Sequence, residues 1–165
     1  MTVIGNLVTD AWPAVLPPRL ALFLDYWQGL CARLGRLPRR REINPLEIPR
    51  GLLPGIGILD LLLQEDGSWR IRYRLLGTAH AMAVQRDVTG YYFDELHPDH
   101  EIAPLLAEYL DIAESGRPSY ARRATPLPDH EHAMFSRILM PMLDDAGLPR
   151  HLIGYWDWEN ISGRF

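Results

Sequence analysis

Residues 69–78 read WRIRYRLLGT, and this stretch decides the fold class. Its apolar side chains occupy alternate positions: Trp69, Ile71, Tyr73 and Leu75. Arginines fill the positions between them: Arg70, Arg72 and Arg74. Because successive side chains of a strand point to opposite faces, we expect an antiparallel strand with the apolar side chains inward and the arginines outward. The outward arginines form either an ordinary polar surface or a site for an anion or a partner.

The segments on either side extend this strand into a hairpin and a helix. Residues 58–64 are an apolar run typical of a buried strand, and residues 65–68 have the composition of a turn. The two strands therefore form a hairpin. Gly77 breaks the second strand, and Thr78 is placed to cap a short helix.

The rest of the chain continues in a mixed pattern. Residues 93–96 predict a short helix, and apolar residues from Ile102 to Ala113 recur at helical spacing in a second one that ends at Gly116. Three more strands are predicted: residues 120–126, 133–142 and 151–158. Two strands, several helices and three strands in this order predict an α+β domain, with a five-stranded antiparallel sheet and helices on one face.

An amphipathic helix is also predicted before the sheet. Pro17 and Pro18 open it, and Gly35 stops it. Its apolar positions follow helical spacing: Leu20, Phe23, Leu24, Trp27, Leu30, Cys31 and Leu34. A proline-rich connector follows, so residues 1–55 are predicted to be helix and connector and residues 56–160 the core domain.

The apolar stripe of this helix is wide enough to require burial. We expect a homodimer in which Phe23 and Trp27 lie near the interface. A helix folded onto its own sheet is the alternative.

Composition excludes several classes of function. The 165 residues carry a formal net charge of −4, and all 17 basic residues are arginine. Without lysine there is no Schiff-base chemistry and no Walker-type phosphate loop, and mild acidity argues against a nucleic-acid-binding protein. One cysteine excludes a disulfide framework. The sequence predicts no signal peptide and no membrane span, hence a cytoplasmic protein.

Six short motifs in a fixed order carry a resemblance to a known family. They are GRLPR at 35–39, NPLEIP at 44–49, YRLLGT at 73–78, RDVTG at 86–90, DEL at 94–96 and LMPM at 139–142. Together they resemble a family of bacterial PAS-like proteins in the PAS sensory domain superfamily. The resemblance implies the PAS fold and a sensory or regulatory role. It implies no particular cofactor, because PAS domains bind haem, flavins, small acids, metals or nothing.

The predicted function is therefore signal sensing or regulation without catalysis, with a signal that leaves by protein–protein contact. A small ligand would lie between the sheet and the short helices. The candidate lining residues are Tyr73, Leu75, Met82, Phe93, Leu106, Met134, Ser136, Ile138 and Tyr155. The main alternative is a ligand-free interaction module with a filled core.

A metal-dependent enzyme is a third alternative. Two histidine pairs have suitable spacing: His97 with His100, and His130 with His132. As an axial haem ligand, any of His80, His97 and His100 could approach the pocket. Cys31 lies on the apolar helix stripe, far from the segment that carries the reactive cysteine in flavin-binding PAS photosensors, so we expect it to be a small buried apolar residue.

Overall fold

The computed structural model describes residues 11–97, 102–124 and 134–159. These residues contain four α-helices: α1 (Pro18–Leu34), α2 (Thr78–Ala83), α3 (Phe93–Leu96) and α4 (Ala103–Ser115). They also contain five strands: β1 (Ile56–Leu63), β2 (Trp69–Leu76), β3 (Ser119–Ala124), β4 (Met134–Leu143) and β5 (Pro149–Glu159). Three 3-10 turns link α1 to β1: Arg40–Glu42, Pro45–Glu47 and Leu53–Gly55. No helix in the described residues is long and apolar enough to cross a membrane.

The strands form one antiparallel sheet in the order β2-β1-β5-β4-β3. Helices α2, α3 and α4 are inserted between β2 and β3, so β1 pairs with β5 across the middle of the sheet. The predicted α+β class, the opening hairpin and the closing strands are confirmed. The boundary between helix-plus-connector and core domain at residue 56 stays a prediction.

Each face of the sheet has its own core, because side chains alternate along every strand. Helix α1 packs against β4 and β5 on one face, which we call the α1 face. Helix α4 packs against the same strands from the other side, which we call the α4 face. The α1-face core includes Leu20, Phe23, Trp27, Ile138, Met140, Ile153 and Tyr155. The α4-face core includes Leu59, Leu61, Ile71, Phe93, Leu105, Tyr109, Leu139, Leu152 and Trp156.

Helix α1 begins and ends as predicted, but its apolar stripe is not free for a partner. Pro18 occupies the first turn, and Gly35 ends the helix in the left-handed conformation, with φ of 69°. Phe23 and Trp27 are 0% and 5% exposed within the chain itself. The Trp27 indole N–H donates to the Pro141 carbonyl at 3.2 Å. The structure therefore places both side chains in the domain's own core, where they cannot form the dimer interface expected of them.

Strand β2 contains a bulge that corrects one part of the predicted alternation. Across β1, Leu59 pairs with Tyr73 and Ile58 pairs with Leu75, so Arg74 is an extra residue. Inward burial is confirmed for the apolar residues before the bulge, since they all pack on the α4 face: Trp69, Ile71 and Tyr73. Leu75 is shifted to the opposite face, where it is 46% exposed. The prediction that Leu75 faces inward is therefore wrong.

Candidate ligand-binding site

The nine side chains predicted to line one pocket are distributed over both faces of the sheet. On the α4 face lie Tyr73, Phe93 and Leu106. On the α1 face lie Ile138 and Tyr155. Met134 and Ser136 point to the same face, because they lie four and two residues before Ile138 on β4. Leu75 and Met82 are 46% and 53% exposed. The set therefore does not line a single cavity, because the short helices cover the face opposite to the Met134–Ile138 positions.

The space between the sheet and the short helices is occupied by aromatic rings where Tyr73 lies. The Tyr73 and Phe93 rings stack with centroids 4.4 Å apart. Tyr109 of α4 meets the Phe93 ring edge-on at 6.1 Å. This part of the α4 face is a packed core.

A charged cluster lies on the same face, where α4 crosses β3 and β4. Arg123 and Arg137 are 4% and 1% exposed, although both carry guanidinium groups. Glu108 of α4 accepts two hydrogen bonds from Arg123, at 2.9 Å and 3.0 Å, and one from the Arg137 Nη2. We call these three residues the Glu108 cluster. It holds two cations against one carboxylate, which leaves an excess positive charge in a buried place.

Such an imbalance is costly, since a buried ion needs both a counter-charge and satisfied hydrogen bonds. The Arg123 Nε and the Arg137 Nη1 have no hydrogen-bond partner among the residues that the structure describes. Tyr109 cannot supply the missing negative charge, because burial raises its pKa and keeps the phenol neutral. Among the described residues, Glu108 is the carboxylate within ion-pair distance of the two arginines.

A groove of about 560 Å³ runs beside this cluster, between α4 and the start of β3. Glu108 and Asp111 form part of its α4 wall, while Arg117 and Ser119 form part of the other. Ser119 is 5% exposed, and its hydroxyl has no hydrogen-bond partner in the described part of the chain. Trp12, which precedes α1, also lines the groove. The groove therefore combines an unpartnered hydroxyl with a wall that belongs to the Glu108 cluster.

Sequence reasoning missed the Glu108 cluster, although one signal was present. Arg137 is the one charged residue in MFSRILMPML, residues 134–143, where the other side chains predict a buried strand. A charge in such a run indicates either a buried ion pair or a functional group. Glu108 carried no signal of this kind, because a glutamate on an amphipathic helix is ordinary.

His80 is held by its surroundings as a neutral, structural side chain. Its Nε2 donates to the Gly55 carbonyl at 2.9 Å, and its ring meets the Trp156 ring edge-on at 4.8 Å. Burial lowers the pKa of His80 to about 4, against the opposing effect of the Gly55 hydrogen bond. The nitrogen that a haem iron would need is thus already engaged.

The predicted metal ligands do not form a site in the part of the chain that the structure describes. His100, His130 and His132 lie outside the described residues. Among residues 11–97, 102–124 and 134–159, no three histidine, cysteine, aspartate or glutamate side chains are grouped to hold a metal ion. Cys31 is half-buried against the α1-face core, and burial raises the pKa of its thiol.

The sheet order and the helices inserted between the second and third strands define the class of α+β domain to which the chain belongs. Residues 16–156 match the PAS domain family, so the chain belongs to that family. Comparison with curated proteins finds no match. Among solved structures, the chain is similar to one described as an RNA-binding light-oxygen-voltage receptor, with 16% identity and a TM-score of 0.42. The alignment covers 93% of this chain and 37% of the receptor.

Proposed function

We propose that this PAS domain senses a small anionic ligand, which binds in the groove beside the Glu108 cluster, and passes the signal on by protein–protein contact. The observation that carries the proposal is the excess positive charge of the Glu108 cluster. Electrostatic attraction is strong where water is partly excluded, so an anion in the groove would offset this charge. The unpartnered Ser119 hydroxyl would supply a directional hydrogen bond.

The position of the groove suggests how binding would be read out. A ligand there would touch α4 on one side and the start of β3 on the other. It would also touch Trp12, in the segment that leads into α1. Binding would thus tie a helix of the α4 face to the segment that enters the helix of the α1 face. A partner protein would detect the change at the surface of these elements.

Calorimetric titration with small dicarboxylates, citrate and inorganic phosphate tests the proposal. We expect saturable binding of at least one of these anions, weakened about tenfold or more in Ser119→Ala through loss of a hydrogen bond to a charged group. Arg123→Gln should abolish it, whereas Arg122→Gln is the matched control. Arg122 is the preceding residue of β3, but it pairs with Glu159 on the α1 face. Binding that is equal in both arginine variants would contradict the proposal, as would the absence of binding to the folded wild-type chain.

The alternative of a ligand-free interaction module is favoured by one observation, the packed rings of Tyr73, Phe93 and Tyr109. A domain whose core is filled would signal through contacts alone. A native mass spectrum and an absorption spectrum of the purified protein separate the two functions. A co-purified small anion supports the sensor, and a bare chain that binds none of the titrated anions supports the interaction module.

A further inference from the structure

A second charged cluster lies on the opposite side of the sheet and is centred on a buried carboxylate. Asp60 of β1 is 1% exposed. It accepts hydrogen bonds from Arg72 at 2.8 and 3.2 Å, from Arg74 at 2.8 Å and from His151 at 2.8 Å. Burial alone would raise the pKa of Asp60, but these hydrogen bonds outweigh it and hold the pKa well below its usual range. Asp60 is therefore a fixed anion that positions three side chains.

Two of these side chains also line a hollow of about 280 Å³. Arg74 uses its Nε to reach Asp60, and His151 uses its Nδ1, both on the same carboxylate oxygen. The terminal nitrogens of Arg74 and the Nε2 of His151 remain for the hollow that both residues line. Alternation along β2 places Arg74 on the same face as Arg72, opposite to Tyr73.

The other cationic wall of the hollow is Arg40, in the 3-10 turn after α1. The turn is held firmly: Glu42 accepts two hydrogen bonds from Arg36, at 2.7 and 2.8 Å, and one from the Arg39 N–H at 2.7 Å. The Leu143 N–H also donates to the carbonyl of the connector at Pro38, at 2.9 Å. Arg40 therefore extends from a backbone that is already ordered.

The acidic wall comes from the β4–β5 turn. Asp144 accepts a hydrogen bond from the Leu148 N–H at 2.9 Å, and Asp145 lies next to it. Asp145 makes an exposed ion pair with Arg41 at 3.6 Å. In the described residues no ion pair joins Arg40 or Arg74 to either aspartate. Opposite charges thus line one hollow without neutralising each other directly.

We propose that this hollow binds a free α-amino acid as a zwitterion. The carboxylate of the amino acid would lie against Arg74 and Arg40, and its ammonium group against Asp144 and Asp145. A guanidinium group donates two parallel hydrogen bonds to a carboxylate, which suits the terminal nitrogens of Arg74. The volume lies just below the range of about 300–1,000 Å³ that is usual for small-molecule sites, which fits a molecule as small as an amino acid.

The site does not depend on the proposed function. The hollow lies beside Asp60 of β1 and His151 of β5, which are paired residues on the α1 face of the sheet. The groove lies on the other face, beside α4. Failure of either proposal would leave the other standing. Ser119→Ala should not change amino-acid binding, and Arg74→Gln should not change anion binding in the groove.

The test is a titration of the ¹⁵N-labelled full chain with a panel of L-amino acids, followed by chemical-shift changes. We expect at least one amino acid to shift the resonances of residues 144–147 saturably. Its N-acetyl form, which lacks the ammonium group, and its amide form, which lacks the carboxylate, should each bind about tenfold more weakly or worse. Arg74→Gln should weaken binding to a similar degree. Arg70→Gln is the matched control, because Arg70 lies on the same strand but pairs with Asp94.

Asp145→Asn provides a second variant that should fold normally, since its side chain is 75% exposed. It should weaken binding of the amino acid but not of its N-acetyl form. Equal binding of the amino acid and its N-acetyl form would overturn the proposal in favour of a simple anion site. Binding that survives Arg74→Gln unchanged, or no binding of any amino acid by the folded wild type, would overturn it entirely.

Discussion

At the scale of single residues, Glu108 is the counter-ion of two buried arginines, Arg123 and Arg137. Glu108→Gln would leave Arg123 and Arg137 without a counter-ion. Removing one partner of a buried ion pair costs about 3–5 kcal/mol, so we expect a loss of that size in the free energy of unfolding. Urea denaturation measures it.

The matched control for this change is Glu159→Gln. Glu159 also pairs with an arginine, Arg122, but both side chains are more than 40% exposed. Exposed pairs contribute about 0–1 kcal/mol, so the control should change stability little. Equal losses in the two variants would show that the Glu108 cluster is not the buried ion network described above.

His80 makes folding stability dependent on pH. The folded-state pKa is about 4 because of burial, whereas the ordinary value for histidine is 6.5. The unfolded chain therefore binds a proton more readily, and stability present above pH 6.5 is lost as the pH falls toward 4. The expected loss is about 3 kcal/mol. Denaturation at several pH values should show it in the wild type, and His80→Gln should remove this part of the pH dependence; an unchanged dependence would count against the burial of His80.

At the scale of elements, two glycines test how closely the chain is packed. A β-carbon on Gly77, between β2 and α2, would lie 2.2 Å from the Pro54 carbonyl oxygen, which is backbone and cannot rotate away. Gly77→Ala should therefore be strongly destabilising. A β-carbon on Gly29, inside α1, would meet no atom within 4 Å. Gly29→Ala should raise stability by about 0.5–1 kcal/mol through the better helix propensity of alanine.

Thermal unfolding of the two alanine variants provides the comparison. We expect Gly77→Ala to melt at a lower temperature than the wild type and Gly29→Ala to melt at a higher one. A Gly77→Ala protein as stable as the wild type would mean that the turn into α2 is looser than the structure shows.

At the scale of the whole molecule, α1 is an integral part of the domain, because it packs against β4 and β5. Trp27→Ala removes an indole that is 5% exposed, so it should cost about 3–5 kcal/mol, as other large aromatic truncations in cores do. Trp12, which is 43% exposed, is the matched control and should lose far less. Chemical denaturation gives the two losses.

The same position tests the expectation of a dimer. Trp27→Glu should unfold the domain without first changing its assembly state, and light scattering over a dilution series separates these effects. If the wild type is a dimer and the Trp27→Glu variant is a folded monomer, Trp27 lies at a dimer interface.

Local patterns in the sequence predicted the fold class, the order of the elements and most of their ends. The period of two in residues 69–75 and the helical spacing in residues 18–34 arise from backbone geometry, which acts between near neighbours in the chain. For the same reason Gly35 and Gly116 identified the ends of α1 and α4, where the left-handed conformation excludes most side chains.

Which side chains contact one another depends on the packing of the whole domain. Strands β4 and β5 are buried on both faces, so their apolar runs contain no alternation that could assign Ser136 or Tyr155 to a side. The bulge at Arg74 depends on pairing with β1, and it moved Leu75 away from the α4 face. Both charged clusters join residues far apart in sequence. Their energies depend on burial and on distances across the sheet, which local sequence patterns do not contain.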